Sequence, residues 1–484
     1  MCRLRAAPGA EYALAFLDPS AVRSAETFLE EWFPDYIVSL TVDSTPTDAA
    51  GPAGVARAAR LPAQAPGDIV ETVADDVVET TVGDDPLGSP KSRSRPWSLN
   101  ERFEILDPYR GSFKSARVLR IYGGEFVVAW FEQGDSARLL TWLPRLDSAF
   151  AVVQEHAFPL LRSMFVNAAP RTSTGSGQYL ILLRDSLPRD DLPGPVGVSY
   201  ATTVGDTVFT WIHLKVDTAY THTGLASLLT HEMVHSYQRM YMHANRAPGV
   251  ESVTGAALWG VEGGANLISY ETMRRYAGMP LDANLDWRVP QATVAAQFVA
   301  RRAQPASGEF TAGYDNAMGF MRYLVLRLMR AGSTLDHAVR EVSRGAIEGW
   351  YGYDGYTRRT GLVSRVRAVL GDRWDPEEAL LDWTLSHAAD DLTGNPDFQD
   401  RTSLRIWDIP SDRAGWRASA DLTSAEGGSA SVYRRYGSPF YVYLRDGGGG
   451  VTFRIAVSRV NPNEMPPAEN IPMVVVPWKL VRIR

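Results

Sequence analysis

The chain has 484 residues, room for more than one domain, and its 45% hydrophobic and 22% charged residues are ordinary for a globular protein. A net charge of −7, with no Lys/Arg cluster, argues against a nucleic-acid binder. One cysteine, Cys2, excludes an intrachain disulfide and a multi-thiolate metal site, and no apolar run approaches the roughly 18 residues of a membrane span.

Taken in order, Ser24–Phe33 has the spacing of a short helix and Asp35–Val42 of a strand. Tyr12–Leu17 is too short and interrupted for a signal-peptide core, so no export signal is expected, and the compartment stays open. From about Thr41 to Asn100 the chain is rich in Ala, Pro, Asp, Thr, Ser and Gly, which predicts a linker or poorly ordered segment, with Glu71–Asp85 a solvated acidic patch. Ala116–Tyr122 and Glu125–Phe131 are β-rich runs separated by Gly123-Gly124, a hairpin signal. Leu146–Phe165 has helical spacing interrupted at Pro159. Tyr179–Leu183, Val196–Tyr200 and Val208–Val216 read as strands.

Helices are predicted at Gly224–Tyr241, Trp259–Tyr276, Asp315–Arg330, Leu335–Arg344, Leu362–Leu370 and Pro376–Asp391. The last has Asp375 as N-cap, Pro376 at its first position and Glu378 three residues after the cap. After about Asn395 the period becomes two, at Ser429–Tyr433, Phe440–Leu444, Val451–Val457 and Val474–Ile483. The expected class is α+β. The expected units are an N-terminal segment over 1–100, a central unit over 101–394 and a C-terminal antiparallel β domain over 395–484.

The helix at Gly224–Tyr241 carries His231-Glu232-Met233-Val234-His235. Imidazoles four residues apart share one helix face, so both can reach one metal ion. The adjacent carboxylate can reach a water on that ion. A third ligand is needed. A third imidazole ten residues after the first is absent, since position 241 is Tyr, position 238 is Gln and His243 comes two residues late. The better candidate is Glu262, in Trp259-Gly260-Val261-Glu262-Gly263-Gly264-Ala265-Asn266. There the paired glycines allow close approach to the His helix, with Glu251 and Glu271 as alternatives. Asn266, one turn on, can accept from the far nitrogen of a ligand histidine. His213 is expected as a sheet-face residue and His222 as a loop residue. His156, His337 and His387 are isolated and carry no assigned function.

His231-Glu232-x-x-His235 followed by Trp259-x-x-Glu262-Gly263-x-Ala265 resembles the gluzincin metallopeptidases, the thermolysin-like and aminopeptidase-like zincins. The likeness in element order spans roughly residues 101–390. It implies a zincin-like catalytic domain: a mixed sheet, an active-site helix, then a helical lobe. It also implies Zn2+ on His231, His235 and Glu262, with Glu232 as general base and a peptide or protein as substrate. The 26 residues between His235 and Glu262 are more than in the best-known members, making Met242–Thr254 an insertion. The resemblance further points to a downstream oxyanion donor, for which Tyr314 in Gly313-Tyr314-Asp315-Asn316 is the candidate, with Tyr323 and Tyr270 competing. The alternative from another class is a catalytically inactive binding protein on the same scaffold.

Overall fold

The computed structural model describes residues 2–5, 11–16, 35–43, 77–79, 96–107, 112–131, 136–165, 178–185, 197–204, 207–216, 221–246, 258–278, 314–350, 352, 360–376, 378–379, 381–383, 417–423, 429–434, 440–445, 452–460 and 478–482. The helix read at Ser24–Phe33, most of the linker read over 41–100 and the insertion read at Met242–Thr254 beyond residue 246 lie outside these residues. Four strands come early: β1 (Cys2–Arg5), β2 (Glu11–Phe16), β3 (Asp35–Asp43) and β4 (Val77–Glu79).

The central sheet is built from β5 (Arg102–Asp107), β6 (Ser112–Tyr122), β7 (Phe126–Phe131), β8 (Tyr179–Arg184), β9 (Gly197–Val204) and β10 (Thr207–Lys215). These six lie in the order β9-β10-β8-β7-β6-β5, with β4 added outside β9. The sheet is mixed: β7, β8 and β10 run parallel, while β9, β6 and β5 join antiparallel. Gly123 and Gly124 turn β6 into β7 with φ of +56° and +73°. Two successive positive φ values suit a tight hairpin turn, and only glycine adopts them without strain.

Both sheet faces are covered, which is why Phe126–Phe131 and Tyr179–Arg184 are apolar almost throughout and buried at every position. One face presents Val128, Trp130, Ile181, Leu183, Ile212 and Leu214 to the helices. The other packs Val127, Ala129, Leu180, Leu182 and Trp211 with Trp97, Phe103 and Ile105. Between β7 and β8 run α1 (Ser136–Val152), a π-helical turn (Val153–Ala157) and α2 (Phe158–Met164). The expected interruption at Pro159 is a widened turn: the Phe158 N–H bonds the carbonyl of Val153, five residues back.

After β10 the described residues up to Leu370 contain the helices α3 (His222–Ala244), α4 (Leu258–Tyr276), α5 (Tyr314–Arg330), α6 (Leu335–Ile347) and α7 (Gly361–Leu370). Helix α3 packs against β9, β10 and α1 on one side and α4 on the other; α5, α6 and α7 follow as successive neighbours. A further helical stretch begins at Pro376, where Asp375 Oδ1 accepts from the Glu378 N–H at 3.0 Å. No helix among the described residues is long and apolar enough to cross a membrane.

The strands toward the C-terminus are β11 (Arg417–Thr423), β12 (Ser429–Arg434), β13 (Phe440–Arg445), β14 (Thr452–Val460) and β15 (Trp478–Arg482). Of these, β12, β13, β14 and β15 pair with strands from the first 43 residues, and β11 pairs with β13, in the orders β1-β14-β3-β12 and β11-β13-β2-β15. All these pairs are antiparallel except β11 with β13.

Candidate metal centre

Helix α3 starts where Thr221 Oγ1 accepts from the Gly224 N–H at 3.0 Å. Because sheet, α1 and α4 surround it, it is buried on nearly every face. Its histidines are therefore interior groups: His231 is 9% exposed and His235 1%. Their rings meet edge to face, and the two Nε2 atoms are 3.0 Å apart.

Helix α4 runs antiparallel to α3. A seam of polar contacts records this, pairing Gln238 with Val261, His231 with Asn266, Ser227 with Ser269 and His222 with Tyr276. Within that seam Glu262, wholly buried, places Oε2 3.2 Å from His231 Nε2 and 3.4 Å from His235 Nε2. Donor atoms around a small tetrahedral ion with bonds of about 2.0–2.1 Å lie about 3.3 Å apart. The three separations bracket that value.

The far nitrogens say which atoms face inward. His231 Nδ1 lies 2.9 Å from Asn266 Oδ1, and His235 Nδ1 lies 3.0 Å from Gln238 Oε1. Gln238 Nε2 donates to the Val261 carbonyl at 2.8 Å, which fixes the orientation of that amide. An amide oxygen only accepts, so each Nδ1 carries the proton and each neutral imidazole turns its Nε2 lone pair inward. Two lone pairs and a carboxylate oxygen thus converge. Neither Glu262 oxygen meets a hydrogen-bond donor in good geometry among the described residues. His231, His235 and Glu262 form a buried group that can hold a metal ion. Among these three groups alone, the Glu262 carboxylate favours a proton on His235. Burial opposes charge on His235, but neighbouring Glu262 outweighs burial and carries its pKa up to about 9. Burial likewise opposes charge on Glu262, yet His235 and His231 hold its carboxyl well below the ordinary range.

Glu232, 2% exposed, lies between the two histidines on α3. A Cβ at Gly197, the first residue of β9, would stand 2.7 Å from Glu232 Cγ and 2.9 Å from its Oε1. The glycine is thus needed for space beside this carboxylate. Tyr314 is the first residue of α5, and its side chain lies outside the described residues. Of the alternatives, Glu251 is outside the described residues. Glu271 is held by Arg274 and Arg275 at 2.7 and 2.8 Å. Tyr270 is buried under the Arg322 guanidinium, and Tyr323 is buried against Phe320.

Of the pair Gly263-Gly264, expected to admit the His helix, Gly264 takes that place, while Gly260, outside the pair, approaches another element. Gly264 does face α3, at Gln238. The tightest approach is at Gly260, where a Cβ would stand 2.2 Å from the carbonyl oxygen of Ala346 at the end of α6. His213 is buried on the second sheet face, with Nδ1 3.0 Å from Arg184 Nη1 and Nε2 accepting from Trp211 Nε1 at 2.9 Å. Burial and the Arg184 charge keep it well below its usual pKa. His222 starts α3 instead of lying in a loop. His387 is outside the described residues.

Sequence reasoning did not single out Gly197 or give Gln238 a role. Gln238 carried a usable signal, since it follows His235 by three residues and shares its helix face. Gly197 carried none. Comparison of the chain with models of protein families, with curated proteins and with solved structures found no match.

Proposed function

We propose that this chain is a zinc-dependent metallopeptidase of the gluzincin kind, hydrolysing peptide bonds in a peptide or protein. The observation that carries the reading is the convergence of His231 Nε2, His235 Nε2 and Glu262 Oε2 within 3.0–3.4 Å, the two histidines lying on the helix that also bears Glu232 and Glu262 on the helix beside it. Two imidazoles and one carboxylate, with no thiolate, suit zinc and leave one position open, the pattern of hydrolytic rather than structural sites.

When bound, zinc polarises a carbonyl and brings the pKa of water down to about 7. The chain's own residues do the rest. Glu232 takes a proton from the attacking water and returns it to the leaving amine. Asn266 and Gln238 hold the imidazoles in one tautomer. Tyr314 is assigned as donor to the developing oxyanion, because a phenol stays protonated at neutral pH. On this reading residues 101–394 form the zincin-like catalytic unit, and the strands after residue 395 belong to a β-rich accessory part.

The test pairs metal content with turnover. The purified chain is expected to hold about one zinc per molecule and to lose it in His235→Ala. Glu232→Gln should keep the metal and abolish cleavage of a peptide library. Metal content near zero in the unmutated chain would overturn the assignment. Metal without cleavage would instead favour a binding protein on this scaffold.

A further inference from the structure

Gln238 stands between the two halves of the metal site. It is fully buried on α3, three residues beyond His235. Its Oε1 lies 3.0 Å from His235 Nδ1, and its Nε2 donates at 2.8 Å to the carbonyl of Val261, the residue before Glu262. A single amide therefore touches one ligand directly and the backbone beside another. The contact crosses from α3 to α4, so it also sets how far apart the two helices stand at the level of the ligands.

Space for this bridge is cut into α4. A Cβ at Gly264 would stand 3.1 Å from Gln238 Nε2, tighter than ordinary contact. Glycine costs roughly 1 kcal/mol in a helix interior relative to alanine. The slot it leaves for the amide accounts for glycine at position 264.

The chemistry of the bridge requires both ends of an amide. A carboxylate could still accept from His235 Nδ1, but its second oxygen would face the Val261 carbonyl with no proton between them. An apolar side chain would leave the Val261 carbonyl without this donor and free the His235 ring to turn.

We propose that Gln238 is a positioning residue that couples the metal ligands of α3 to the ligand of α4. It holds His235 with Nε2 inward and sets the place of Glu262 through the Val261 carbonyl. The inference rests on His231, His235 and Glu262 binding a metal, and it assigns Gln238 no contact with substrate.

The experiment uses the full chain and its Gln238→Leu, Gln238→Glu and Gly264→Ala variants. Zinc affinity is measured by competition with a chromophoric chelator. Ligand geometry is read from the visible spectrum of the Co2+-loaded protein, and far-UV circular dichroism of the metal-free form checks the fold. Gln238→Leu and Gln238→Glu are each expected to weaken zinc roughly 10- to 100-fold and to alter the Co2+ bands, with the metal-free circular dichroism unchanged. Gly264→Ala crowds the bridge without removing it, and should weaken zinc by a smaller factor with a smaller spectral change. It carries the test if the Gln238 variants do not fold. Unmutated affinity and an unmutated Co2+ spectrum in the folded variants would overturn the proposal. Failure of the unmutated chain to take up either ion would overturn the metal site itself, a distinct result.

Discussion

A methyl group at Gly197 would occupy space that Glu232 now fills, with contacts of 2.7–3.0 Å to its Cγ, Oε1 and Cδ. Glu232 is 2% exposed. Its carboxylate therefore has little room to retreat, and on the proposed reading a small displacement moves it from where it would meet the attacking water. Misplacing a reacting group by about 1 Å can cost roughly 100-fold in rate. Gly197→Ala is thus expected to lower kcat by about that factor, while zinc content stays at the unmutated level. Equal loss of metal and activity would show that the strand supports the ligands and not the base. These residues also mark what could be read in advance. His231, Glu232 and His235 were legible because helical geometry alone brings positions i and i+4 together. Glu262 needed a further clue, the glycine-flanked helix, because 26 residues separate it from His235. Gly197 was illegible: its role arises only when β9 lies against α3, and no local pattern encodes that contact.

Among the elements, the central strands show both the reach of periodicity and its limit. Their apolar runs gave their positions, but the second covered face hides a charged cluster that alternation treats as solvent-facing. Asp107, at the end of β5, is buried and accepts from Arg184 at 2.9 and 3.0 Å, with Lys114 3.0 Å away. Burial alone would raise its pKa; Arg184 and Lys114 outweigh burial and hold it at about 2, against an ordinary 3.8. A carboxyl with a depressed folded pKa stabilises the protein above its unfolded value, and that contribution is lost as pH falls through the folded value. Here the window runs from pH 3.8 down to about 2. The difference corresponds to about 2 kcal/mol. Urea denaturation across that window is expected to show this loss, and Asp107→Asn should remove that part of the pH dependence. An identical slope in the variant would mean that other carboxylates govern acid unfolding.

Across the whole molecule, two joints had different legibility. The pairing of β3 with β12 and β14 joins residues about 400 positions apart, and periodicity says nothing about such partners. The second joint ties α3, the helix that bears the two histidines, to α6 and α7. Nearly two turns beyond His235 on α3, Tyr241 Oη donates to Glu348 Oε1 at 2.6 Å. Arg365 of α7 clasps the same carboxylate through Nη2 at 2.6 Å and Nε at 2.7 Å, and reaches Glu341 of α6 at 2.7 Å. Glu348 is 2% exposed, so its charge depends on Arg365 in place of water. Removing one partner of such a buried pair leaves an uncompensated charge and costs about 3–5 kcal/mol, whereas replacing both can be nearly neutral. Arg365→Met should therefore lower unfolding stability by about that amount, and adding Glu348→Gln should recover much of it. On the proposed reading, zinc bound per folded molecule should not change in either variant, because none of His231, His235 and Glu262 touches this network. A single variant as stable as the unmutated chain would show that Glu348 finds its compensation elsewhere. Loss of zinc at constant stability would instead mean that this joint helps position the ligands on α3.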